Sequence, residues 1–168
     1  MGQRLTIFNG AANPTIAIPG VDSTTSLRTM LQVQASKKFE VVEWGWSGDL
    51  SALAAPGAVE LIDTGAINAT VTAHVASGIN KTGDPDAEAV DTELRVTLGT
   101  AATGFTATAE GTVTAVRRFD QQYIMGLNQY VKQWPLGERP KVDHDTNLRI
   151  RNTFAAAVNV VCYVIINI

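Results

Sequence analysis

The sequence predicts an all-β protein, a single sandwich of antiparallel sheets, on three observations. Thr, Val and Ile supply 47 of the 168 residues. Such β-branched side chains lose rotamer freedom in helices and fit a pleated, half-buried surface. Short runs of β character alternate with Gly, Pro, Asn and Asp at the spacing of a sandwich or barrel. Several of those runs alternate apolar and polar residues with period two, as a strand covered on one side requires. The chain is long enough for one domain with a real core and too short to argue for two.

In chain order, residues 1–26 hold Gly10, Pro14, Pro19 and Gly20 and the run Asp22-Ser-Thr-Thr-Ser. That composition prevents a helix and favours an extended N-terminal arm with short β segments. The sandwich domain follows over 27–168. Its expected strands are LRTMLQVQ (27–34), FEVVEWGWS (39–47), AVELIDT (58–64), ATVTAHVA (69–76), ELRVTLGT (93–100), GFTATAEGTVTAVRRF (104–119), YIMGLNQYVKQW (123–134), NLRIRN (147–152) and AVNVVCYVIINI (157–168). In ATVTAHV, Val71, Ala73 and Val75 fall on one face, and Thr70, Thr72 and His74 on the other. In NLRIRN, Leu148 and Ile150 point opposite to Arg149 and Arg151. The last run is apolar on both faces, so both are expected to be buried, one in the core and one under a second sheet, the arm or another subunit.

Composition also bounds function. A formal charge of −3 with 13 Lys and Arg and no basic run offers no footprint for nucleic acid. Nothing resembles a signal peptide or a membrane span, so no membrane partner is expected. The lone Cys162 sits in an apolar run and reads as a buried structural thiol.

The candidate chemical sites each fail on spacing. Asp84, Asp86 and Glu88 mimic the first ligands of a calcium loop, but Ala89 and Arg95 stand where Gly and Glu belong. Asp143-His144-Asp145 reads as a turn, with the two Asp bonding local amides, because consecutive residues cannot all face one metal. Gly45-Trp46-Ser47-Gly48-Asp49 misses the nucleophile elbow by its last residue and has no helix after it. Trp44 and Trp46 share a face and read as core or interface anchors. No metal, no cofactor and no catalytic residues are therefore assigned, and an enzyme is not expected.

AVELIDTGAINATVTAHVASGIN, LGTAATGFTATAEGT, PLGERPKV and LRIRNTFAAAVNVVCYVIINI resemble small virion proteins of tailed bacteriophages, particularly head decoration (cement) proteins. The resemblance covers roughly residues 40–168. It implies a β-sandwich, plausibly jelly-roll, that is made in the host cytoplasm and assembles as a small oligomer, often a trimer, on the outer face of the capsid. The implied partners are the major capsid protein and further copies of the chain. Binding only to the assembled lattice would stabilise it by mass action. Contact candidates are Ile7, Phe8, Ile16 and Ile18 in the arm, with Arg117, Arg118 and Trp134; each apolar one has ordinary core as its alternative. The alternative function is a carbohydrate-binding or tail/fibre sandwich, with Trp44, Trp46 or Trp134 as stacking platforms.

Overall fold

Strand formation follows the β-branched runs closely. The computed structural model describes residues 3–10, 21–22, 26–49, 55–83, 94, 103–114 and 117–168. In chain order the strands are β1 (Arg4–Phe8), β2 (Val21–Asp22), β3 (Arg28–Gln34), β4 (Phe39–Gly48), β5 (Gly57–Asp63), β6 (Thr70–Ala73), β7 (Asn80–Lys81), β8 (Gly104–Ala109), β9 (Arg117–Ile124), β10 (Gln129–Gln133), β11 (Lys141–Val142), β12 (Asn147–Thr153) and β13 (Asn159–Asn167). The helical content of the described residues is one 3₁₀ turn, Ala76–Gly78. No helix among them is long and apolar enough to cross a membrane.

Two antiparallel sheets result, one ordered β10-β4-β13-β1-β7 with β2 and β11 alongside, the other β6-β8-β3-β12-β5-β9. The core between them holds Leu5, Ile7, Val41, Trp44, Trp46, Val160, Cys162, Val164 and Ile166 from the first sheet. Met30, Val33, Val59, Leu61, Leu148 and Ile150 come from the second. The all-β sandwich expected from composition is the observed fold.

Two strands are each flanked by a pair of shorter strands lying in line. β1 pairs with β13 up to Phe8 opposite Tyr163, and β2 resumes the same line with Val21 opposite Val160. Asn9 bridges the gap: its amide donates to the Cys162 carbonyl at 3.0 Å. Its side chain accepts from Cys162 N–H and donates to the Val160 carbonyl, each at 2.8 Å. A buried side chain thus stands in for missing ladder bonds. Likewise β10 and β11 lie end to end along β4, separated by the turn Pro135-Leu136-Gly137-Glu138. Glu138 N–H closes that turn on the Pro135 carbonyl, and Gly137 takes φ +94° as the third residue of a type II turn demands.

Four expectations change. The runs 104–119 and 123–134 divide differently, into β8, β9 and β10, because Gly111 turns with φ +69° and Asn128 N–H closes a turn on Met125 across Gly126. The alternation in ATVTAHV ends with β6: His74 is buried and Val75 is exposed, since His74 Nε2 bonds the Phe8 carbonyl at 2.7 Å. The last strand is central, between β4 and β1, but fully buried on one face only; Val161, Tyr163 and Ile165 on the other are half-buried. Within the expected arm, Arg4–Phe8 is a strand of the sheet flanked by β13 and β7. Most of 93–100, all of Asp84–Glu88 and Ile16 and Ile18 lie outside the described residues.

Candidate interaction surface

The two sheets meet along one side where their terminal strands, β9 and β10, come together. Alternation places Asp120 of β9 inward, where its carboxylate accepts from Trp44 Nε1 (3.1 Å) and the Tyr130 hydroxyl (2.7 Å) and faces Lys132 Nζ at 3.7 Å. Burial, and then the adjoining Asp120 carboxylate, push the Tyr130 phenol up to about 12, so it donates at neutral pH. Polar groups from three strands are satisfied together, which lets them sit at the sheet seam.

Four ion pairs on this side share one orientation. Arg117 Nε and Nη2 bond Asp63, and Nη2 also donates to the Lys141 carbonyl at 3.0 Å, stapling β9 to β5 and β11. Arg118 Nε donates to Glu60 at 2.9 Å, and the other oxygen of Glu60 accepts from Arg151 at 2.8 Å. Lys132 faces Asp120, and Lys141 faces Glu40 at 3.5 Å. In these four the cation is the more exposed partner, 57% against 4% for Arg117 and Asp63 and 66% against 35% for Lys141 and Glu40, whereas Arg139, which shares Glu40, is the more buried of its pair and Lys38 and Asp143 are both exposed. Arg117, Arg118, Lys132 and Lys141 therefore turn their cationic ends outward. Lys38, Asp63, Arg117, Lys141 and Asp143 also line an open cleft of about 420 Å³ at one end of the sandwich.

Beside these cations the β10–β11 turn projects Leu136, 82% exposed and the most exposed large apolar side chain among the described residues. Trp134 at its base packs partly on the core, with Lys132 Nζ 5.5 Å from its ring centroid. An apolar tip on a closed turn, between the strands that carry Lys132 and Lys141, is suited to contact a protein surface.

Of the residues expected as contacts, Arg117, Arg118 and Trp134 gather here. Ile7 is fully buried and belongs to the core. Phe8 lies on the outer face of the first sheet, its ring 5.6 Å from that of Tyr163. Lys132, Leu136 and Lys141 were missed; Pro-Leu-Gly signals the turn that exposes Leu136, but nothing in the sequence marks β9 and β10 as neighbours. Trp44 and Trp46 are core residues, so neither is a sugar platform. Asp143 bonds the amide of His144 at 3.0 Å, as a turn residue should, and that bond holds its carboxyl below the ordinary range. Ser47 lies within β4, with no elbow geometry. Cys162 is buried and unpaired, and burial pushes its thiol well up.

No family model, curated protein or solved structure matches this chain. The reading of its function therefore rests on its own residues.

Proposed function

We propose that this chain is a non-enzymatic structural protein of a tailed-phage virion. It binds the outer surface of the assembled capsid as a homo-oligomer, a trimer, and cements neighbouring capsid subunits; the finer jelly-roll topology belongs to the same proposal. The observation that carries the reading is the β9–β10–β11 side, where the turn between the Lys132 and Lys141 strands projects the exposed Leu136. Such a surface gains encounter rate from charge and residence time from an apolar anchor. Several copies joined in one oligomer add effective concentration to weak single contacts.

The test is co-sedimentation of the purified protein with mature capsid shells of the phage that encodes it. Saturable binding is expected, weakened at least about tenfold by Leu136→Asp. Absence of binding by the folded wild-type protein overturns the proposal. The glycan-binding alternative keeps only Trp134 of its three platforms, and a tail location is compatible with the same fold.

A further inference from the structure

Segments far apart in sequence converge on the open cleft at one end of the sandwich. Lys38 comes from the β3–β4 connection, Asp63 and Gly65 from the end of β5 and its turn, Arg117 from the start of β9, Lys141 from β11 and Asp143 from the turn before β12. Both carboxylates in the wall are already engaged. Asp63 accepts from Gly65 N–H at 2.8 Å through one oxygen and from Arg117 through the other, and Asp143 accepts the His144 amide at 3.0 Å. The cations are less fully taken up. Lys38 Nζ stands 3.8 Å from Asp143, and Lys141 Nζ 3.5 Å from Glu40, which it shares with Arg139. Both ammonium groups are at charge-pair distance but beyond the usual reach of a hydrogen bond. Arg117 is fixed through Nε and Nη2, and its Nη1 makes no bond among the described residues. Three cations against two carboxylates leave the wall one positive charge in excess.

We propose that this cleft is a recognition site for carboxylate side chains, taking adjacent Asp or Glu residues of a protein partner. Asp63 holds the Arg117 guanidinium in place before any ligand arrives, so little freedom is lost when Nη1 meets an incoming carboxylate. Lys38 and Lys141 each exchange a long ion pair for a shorter charge-assisted bond. The volume of about 420 Å³ lies at the small end of the range for ligand sites, roughly 300–1,000 Å³, and exceeds what one small oxyanion fills. β11, which carries Lys141, follows the turn that projects Leu136, so one partner can engage the charged cleft and the apolar tip together. The inference deepens the function proposed above by naming the chemistry of the partner, and rests on reading this side as a contact surface; that the partner is a capsid is not needed for it.

The experiment is an NMR titration of the isotope-labelled full chain with a short peptide carrying two adjacent glutamates, and with its glutamine counterpart. Saturable shifts of the Lys38, Gly65 and Lys141 amides are expected with the glutamate peptide alone, and added salt should weaken the binding. Lys38→Gln with Lys141→Gln should weaken it about tenfold; both side chains are exposed, and circular dichroism checks that the fold is kept. Arg117 is left in place because it staples three strands. Arg4→Gln removes an exposed cation on β1, away from the cleft, and should leave the affinity unchanged, which separates this site from attraction by overall charge. Absence of saturable shifts at those amides overturns the proposal. So does tighter saturation by inorganic phosphate, which would make the cleft a phosphate site. Co-sedimentation with capsids reads the function separately. A chain that binds capsids but not the peptide removes this inference alone, and a chain that binds the peptide but not capsids removes only the capsid reading.

Discussion

The outer faces of the two sheets invert the usual rule of polar outside and apolar inside. On the second sheet, the face opposite the core carries Asn147, Arg149 and Arg151 of β12 with Gln32 and Glu60, all buried. Residues 64–69 and Glu110 cross over it: Arg149 donates to the carbonyls of Ile67 and Glu110, Asn147 to that of Gly65, and Ala69 N–H to Gln32 Oε1. The Glu110 carboxylate closes the network on the amide and hydroxyl of Thr29, at 2.5 and 2.6 Å. On the first sheet, the corresponding face carries Phe8, Val131, Val161, Tyr163 and Ile165, none of them fully buried. Period-two alternation tells which residues share a face, whereas what covers that face depends on where distant loops pass.

The sharpest break of this comparison is Arg149. Its side chain is 0% exposed, and burial pulls its pKa down to about 10, which leaves it charged at neutral pH. Arg149→Met removes the donor that ties the Glu110 carbonyl and carboxylate and the Ile67 carbonyl to β12, and should cost about 3–5 kcal/mol. Urea unfolding measures it; a loss under about 1 kcal/mol would show the covering segments to be held by something else.

Neighbouring residues of β13 give the next contrast. Ile166 faces the core and Ile165 the outer face, so Ile166→Ala should cost about 2–5 kcal/mol and Ile165→Ala under about 1 kcal/mol. Equal costs would mean that the outer face is as well covered as the core.

Gly45 sharpens the account of that face. Its neighbour Tyr163 lies across it, so that an added Cβ would come within 2.3 Å of Tyr163 Cε1. The Tyr163 hydroxyl is held on Glu43 at 2.5 Å. Gly45→Ala should destabilise by about 1–3 kcal/mol, and most of that penalty should vanish in a Tyr163→Ala background. Additive effects in the double-mutant cycle would rule out the ring as the obstacle.

The smallest effect is that of pH at the junction of β6 and β1. Burial holds the His74 imidazole below its ordinary 6.5, opposed in part by its bond to the Phe8 carbonyl. The unfolded chain therefore takes up the proton first, so stability is full above about pH 6.5 and falls as pH drops towards the folded-state pKa. His74→Gln should flatten thermal stability between about pH 5 and 7. An unchanged slope would assign it to other groups.

Much of the fold was legible in the residues. β3, β4, β5, β12 and β13 lie within a residue or two of the runs that announced them, because β-branched density and flanking turn residues agree there. Period-two spacing puts Trp44 and Trp46 on one face, and of the core and interface alternatives the structure shows core. The division of 104–134 was less visible, since it depends on Gly111 and on the Gly126–Asn128 turn overriding continuous β propensity. The candidate interaction side was legible only in part: Arg117, Arg118 and Trp134 stood out by type, but their gathering depends on β9 and β10 belonging to different sheets. Local sequence carries no record of that adjacency.

The central strands of both sheets come from the same 22-residue stretch. β12 lies between β3 and β5, and β13 between β4 and β1, so the last strands in chain order are inserted between strands made long before. During synthesis neither sheet can close until Asn147–Ile168 has emerged from the ribosome, and until then β1, β3, β4 and β5 have open flanks. Pairings of such long sequence separation form slowly, and open strand flanks invite aggregation. Without residues 147–168 the strands fall into separate groups, β1 with β7, β4 with β10 and β11, β3 with β8 and β6, and β5 with β9, and it is residues 147–168 that join these groups into two sheets.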